Sequence, residues 1–271
     1  MKRTLALVLA LGMVLSTLSG LVALAEAADV TLPPADEVMA AVEADPDAAA
    51  GAEASPAATE TPVPGRLYGL KIGIDPGHQE KGNNEKEAVA PGSKEKKPKV
   101  ASGTRGRVTK IPEYMTVLEI SMKLRDALID EGAEVKMTRE THDVDISNQE
   151  RAIMMNDWGA DLVLRIHCDG SAKKSANGIA LFVNKSCPIS AESKAAAEAI
   201  LPRMVEATGA KRRGVYERDT YTGLNWSEVP CILVECGYLT NPDEDEKLND
   251  HDYQLLLAEG MVEGISDYFE R

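Results

Sequence analysis

The sequence predicts an α/β domain: a single, mostly parallel or mixed central sheet with helices on both faces. Three observations carry this. Short apolar runs alternate with amphipathic stretches across residues 67–271, the order that yields a sheet covered on both faces. That span is about the length of one α/β domain and holds no internal repeat. His78, His167 and Glu235 each stand at or just after the end of a separate apolar strand, where such sheets gather their ligand sites.

The elements follow in order. Lys71-Ile72-Gly73-Ile74 reads as a short strand closed by the turn Asp75-Pro76-Gly77. Tyr114 to Glu131 reads as a helix, with Val117, Ile120, Leu124 and Leu128 at helical spacing and Gly132 at the C′ position. Glu134 to Thr138 alternates as a strand. Ser147 to Trp158 is helical, and Ser147 with Glu150 makes a capping box. Leu162 to His167, Ile179 to Val183 and Cys231 to Glu235 read as buried strands. Ser190 to Thr208 is a helix followed by Gly209, and Tyr253 to Phe269 closes the domain. Between Gln79 and Pro112 lie nine Lys or Arg against four Glu, with no helical or strand period. This predicts a long loop, either solvated and without a role, or covering the site or contacting anionic polymers.

The N-terminus is different material. Lys2 and Arg3 precede an almost wholly apolar run from Leu5 to Val22, then the small residues Ala23, Ala25 and Ala27. Residues 1–27 therefore read as a secretory signal peptide, with an uncleaved membrane anchor as the alternative. Cleavage would leave no stable membrane insertion. Residues 28–66 read as a disordered, acidic Ala/Pro-rich linker, with eight acids against one base. That is half of the chain's net charge of −14, so the acidity says little about the domain and argues against nucleic-acid binding. Four cysteines, Cys168, Cys187, Cys231 and Cys236, allow either two disulfides in three pairings or free buried thiols. The oligomeric state is open at this level.

The candidate site is a small set. His78 and His167 with Glu113, which opens the first helix, make a three-ligand zinc site that keeps a position for water. Glu235 is a further carboxylate able to move a proton. These four groups suffice for metal-assisted amide hydrolysis. His142 and His251 sit in polar, acidic surroundings and read as surface residues.

Several motifs then resemble one family. Ile74-Asp75-Pro76-Gly77-His78, Thr138-Arg139, Arg151, Asn156, Gly159-Ala160-Asp161-Leu162, Ile166-His167, Asn177-Gly178, Arg213-Gly214-Val215 and Val229 to Asn241 appear in order. From Leu70 onward the chain resembles the zinc-dependent N-acetylmuramoyl-L-alanine amidases of the Amidase_3 group. The resemblance implies a zinc amidase domain over 67–271, with one Zn²⁺ per chain on His78, Glu113 and His167 and with Glu235 catalytic. It implies a secreted cell-wall hydrolase, or autolysin, that takes peptidoglycan and cuts between N-acetylmuramic acid and L-alanine. Gln79 stands where the family usually has Gly, which predicts an altered rim. Arg165 stands where it commonly has Ser, which predicts a side chain turned from His167's face or paired with an acid. Two alternatives stay in view: a zinc peptidase cutting within the stem peptide, and a non-catalytic wall-binding module.

Overall fold

The computed structural model describes residues 65–270. The signal peptide expected over residues 1–27, and all but the last two residues of the linker expected over 28–66, lie outside them. Six strands form the central sheet: β1 (Lys71–Pro76), β4 (Glu134–Met137), β5 (Leu162–Asp169), β6 (Ile179–Asn184), β7 (Arg212–Arg218) and β8 (Cys231–Tyr238), ordered β4-β1-β5-β8-β6-β7. All neighbours run parallel except β6 and β8, which are antiparallel. The sheet is therefore mixed, as expected.

Helices cover both faces. On one, α1 (Glu113–Asp130), α3 (Ser190–Thr208) and α6 (His251–Phe269) bury the main core. Ile72 and Ile74 of β1 meet Val117, Ile120, Leu124 and Leu128 of α1 there, all fully buried. On the other, α2 (Asn148–Trp158) and α4 (Thr222–Asn225) enclose a smaller cluster of Met155, Val163, Leu224 and Leu233. The alternation along β5 explains the split: Leu162, Leu164 and Ile166 face the main core and Val163 the smaller one. The Ser147–Glu150 capping box starts α2, and Gly159 ends it in the left-handed region at φ 68°. The short helix α5 (Pro242–Leu248) begins on an Asn241 cap. Among the described residues no helix is long and apolar enough to cross a membrane.

One expectation is corrected here. The stretch from Gln79 to Pro112 contains an antiparallel hairpin, β2 (Asn83–Ala88) and β3 (Lys96–Val100). Its residues are mostly charged on both faces, so the ribbon carries no apolar alternation to read. The hairpin is clamped instead by hydrogen bonds: Trp226 Nε1 donates to Ala88 O (2.8 Å), Asn225 Nδ2 to Val89 O (2.9 Å) and Asn148 Nδ2 to Lys99 O (2.7 Å). The edge strand β7 went unread for the same reason, with Arg212, Arg213, Glu217 and Arg218 all exposed.

Candidate metal centre and its cleft

The site assembles where β1, β5 and β8 end. His78 follows β1 through Gly77 and itself adopts a left-handed φ of 59°. A side chain at Gly77 is excluded, because a Cβ there would lie 2.3 Å from His167 Cε1. The turn thus brings the two imidazoles together, with ring centroids 4.8 Å apart and planes at 81°. His78 Nδ1 lies 2.7 Å from Ala101 O, just past β3. A carbonyl only accepts, so Nδ1 carries the hydrogen, and the neutral ring has a lone pair on Nε2. That Nε2 lies 3.0 Å from Glu113 Oε1. A lone pair and a carboxylate at this distance need a cation between them, a proton or a metal ion.

Glu113 is the first residue of α1 and is 3% exposed. Its Oε1 accepts from Cys168 N (3.1 Å) and lies 3.2 Å from His167 Nδ1, while Oε2 accepts from Thr104 N (2.8 Å). Burial pushes this carboxyl up, but hydrogen bonds and charge from His167 and His78 outweigh it and hold the group well below the usual range. For His78 burial opposes protonation, yet the Glu113 contact prevails and raises it. For His167 burial wins and lowers it. His167 Nε2 is buried without a partner. His78, Glu113 and His167 each offer a ligand atom, and these atoms lie within 4.8 Å of one another. Two imidazoles and a carboxylate match the donor set of catalytic zinc sites, so the residues present fit a metal ion.

Glu235 stands beside this centre. It is the register partner of His167 on β8 and shares a cleft of about 320 Å³ with His78 and His167. Burial raises its carboxyl well above the ordinary value, and the charges of Glu113 and Asp169 add to that. Its Oε2 is buried with no partner. Tyr221, on the same cleft, is pushed up to about 12 by burial and by Glu235. The structure thus brings all four sequence-identified groups together.

A buried scaffold holds the β1 turn. Arg139 donates to Pro76 O (3.0 Å) and Gly77 O (2.9 Å), and Arg151 to Pro76 O (2.8 Å) and His78 O (2.9 Å). Asp75 anchors Arg151 at 2.8 Å, Arg165 at 3.1 Å and Thr138 Oγ1 at 2.6 Å. Burial pushes Asp75 up, but Arg165 and Arg151 hold it well below the carboxylate range. These buried guanidiniums satisfy carbonyls that the sharp turn strips from the ladder.

Gln79 and His142 behave differently from their sequence reading, and Arg165 meets one of its two alternatives by pairing with an acid. Gln79 is not on the rim: it is 1% exposed and bonds Asp145, Arg151 and the Ile146 amide. Arg165 lies on His167's face of β5, two residues away, and pairs with Asp75. His142 is half-buried, edge-on to Tyr114 at 5.2 Å, whereas His251 is exposed. The cleft walls Lys97, Asn148, Tyr221 and Gly223 were not singled out from the sequence. Only the density of lysines around Lys97 hinted at them, since the hairpin that delivers that wall has no apolar signature. All four cysteines are free, with Cys187 half-buried and the others buried.

Known proteins agree with this architecture. The family model for N-acetylmuramoyl-L-alanine amidase (Amidase_3) matches residues 72–267. An uncharacterized Bacillus subtilis protein, YqiI, is 30% identical over 154 residues, which is 57% of this chain and 73% of that one. The probable cell wall amidase LytH of Staphylococcus epidermidis is 27% identical over 203 residues, 75% of this chain and 60% of LytH. The chain therefore spans less than two thirds of that relative. Among solved structures, the N-acetylmuramoyl-L-alanine amidase from Clostridium difficile 630 superposes with a TM-score of 0.63 at 29% identity, covering 76% of this chain and 98% of that one. The amidase Ami1 of Mycobacterium smegmatis shares the fold, with a TM-score of 0.69 at 22% identity over 75% and 98% of the two chains. With a family model covering most of its length and the fold and site in place, this chain belongs to the N-acetylmuramoyl-L-alanine amidase family.

Proposed function

We propose that this chain is a zinc-dependent, secreted cell-wall hydrolase that cleaves the amide between N-acetylmuramic acid and the L-alanine of the stem peptide. Residues 67–271 would be the catalytic domain, behind a signal peptide at 1–27 and a linker at 28–66. The observation that carries this reading is the convergence of His78, Glu113 and His167, with an unpartnered buried His167 Nε2, beside Glu235 in one cleft. His78, Glu113 and His167 would hold one zinc ion. When bound, zinc supplies a Lewis acid that polarises the amide carbonyl and lowers the pKa of water to about 7.

The chain's own residues do the rest. Ala101 O fixes the His78 tautomer and the Cys168 and Thr104 amides fix the Glu113 carboxylate, so the donors are oriented before any ligand arrives. Glu235 takes a proton from the attacking water and returns it to the leaving alanine nitrogen. Burial favours its protonated form, which suits the second step. Water adds to the lactyl carbonyl carbon, the C–N bond breaks, and the products are a free lactyl carboxylate and a peptide with a new α-amine.

The test is release of L-alanine N-termini from purified peptidoglycan by the full chain, with a chelator and then with zinc restored. Release that stops and returns supports the reading. New amines on other residues would make the chain a stem-peptide peptidase, and zinc binding without release would make it a wall-binding module.

A further inference from the structure

Arg165 is a charged cleft residue to which the proposed hydrolysis gives no role. It lines the cleft with His78, His167 and Glu235, yet is only 4% exposed. Its two protein contacts, Asp75 Oδ2 at 3.1 Å and Asn148 Oδ1 at 2.8 Å, both use Nη2. Nε is buried with no partner. Asp75 is shared, since Arg151 holds its other oxygen at 2.8 Å, so one carboxylate serves two guanidiniums. Room has been made for this arginine: a Cβ on Gly223 would overlap Arg165 Nη1. A buried guanidinium with spare donors and half a counter-ion favours the arrival of an anion.

A second cation lines the same cleft. Lys97 of β3 is half-buried and gives one hydrogen bond, to Thr220 O at 2.7 Å. An ammonium has three donors, so two remain. Spacing suggests the anion. Arg165 precedes His167 by two residues on one strand face, roughly 6.6 Å of rise. An extended peptide covers the same distance in about two residues. A substrate whose scissile carbonyl sits at the metal centre then brings its second stem residue to Arg165. In peptidoglycan that residue is a D-glutamate joined through its side chain, and its α-carboxyl is either free or amidated.

Resting on the amidase reading, we propose that Arg165 and Lys97 form an anion subsite that selects stem peptides whose second residue keeps a free α-carboxylate. Arg165 pairs with that carboxylate from the cleft floor and Lys97 from the hairpin wall, and the amidated form leaves both cations unmatched.

The test uses the full chain and two synthetic N-acetylmuramoyl-tripeptides that differ only in carboxylate or carboxamide at this position. The acid should be favoured in kcat/KM by about tenfold or more, the scale of one charge-assisted hydrogen bond. The Lys97→Met and Arg165→Met variants should each lose that preference through KM. Lys97→Met leaves the Asp75 pairs intact, so its result stands even where Arg165→Met destabilises the fold. Equal rates on the two substrates in the native chain, or an unchanged preference in Lys97→Met, overturns the subsite. Calorimetric binding to Glu235→Gln separates this from failure of the amidase reading. No turnover of either substrate with tighter binding of the acid keeps the subsite and removes the activity. Equal binding removes the subsite.

Discussion

Glu235 and His167 are register partners on the adjacent parallel strands β8 and β5. The pairing puts a carboxylate with a raised pKa beside an imidazole whose Nε2 has no protein partner. Both lie in the C-terminal half of their strands, and β5 and β8 shift register just beyond them. A carboxylate and an imidazole held by one ladder keep their separation without any help from loops.

Removing the base should separate chemistry from metal binding. Glu235→Gln should retain stoichiometric zinc and lose about 10²–10⁴-fold in turnover, the usual contribution of general acid–base catalysis. His167→Ala should lose both. Metal analysis alongside rates on peptidoglycan checks the pair, and substantial turnover by Glu235→Gln would remove Glu235 from the role of base.

Gly77→Ala should damage the metal site and spare the fold. The new Cβ meets the His167 ring at 2.3–2.6 Å, so the imidazole must move. Zinc affinity should fall by about 10–100-fold, as when an orienting partner is lost. A zinc titration checks this, and circular dichroism should be unchanged.

Asp75 should contribute to the acid sensitivity of the fold around the site. Its folded pKa lies below the unfolded value, so its stabilisation is complete above about pH 4 and is lost as pH falls below that. Asp75→Asn leaves Arg151 and Arg165 without their shared counter-ion and should cost about 3–5 kcal/mol at pH 7. Urea midpoints at pH 7 and pH 3 test both statements: the gap between native and variant should narrow in acid.

Trp226→Phe should loosen the hairpin. It removes the 2.8 Å bond to Ala88 O and should cost about 0.5–1.5 kcal/mol. Hydrogen exchange should speed up within β2 and β3 more than in β5. Uniform exchange would mean that the hairpin is not a separate unit.

How much of this was legible follows from where each signal lives. Apolar periodicity marked β1, β5, β6, β8 and the long helices, because each buries a face whose spacing is written in the residues. His78, His167 and Glu235 were readable because a polar side chain ending an apolar strand is conspicuous. Glu113 was readable only with the helix that it opens. The hairpin was not: Lys96, Lys97, Lys99 and Glu85 cover a ribbon held by bonds to Trp226, Asn225 and Asn148, more than 40 residues away.

The sequence by itself determined the α/β class and the order of the apolar strands and long helices, and it marked His78, Glu113, His167 and Glu235, since local periodicity and strand-end polarity encode them. Tertiary structure alone decided what surrounds those groups. Gln79 became a buried strut, Arg165 a cleft cation sharing Asp75, and Lys97 a wall of the site. These outcomes depend on hydrogen bonds and ion pairs between residues distant in sequence, and no local pattern records which partner a buried polar group will find.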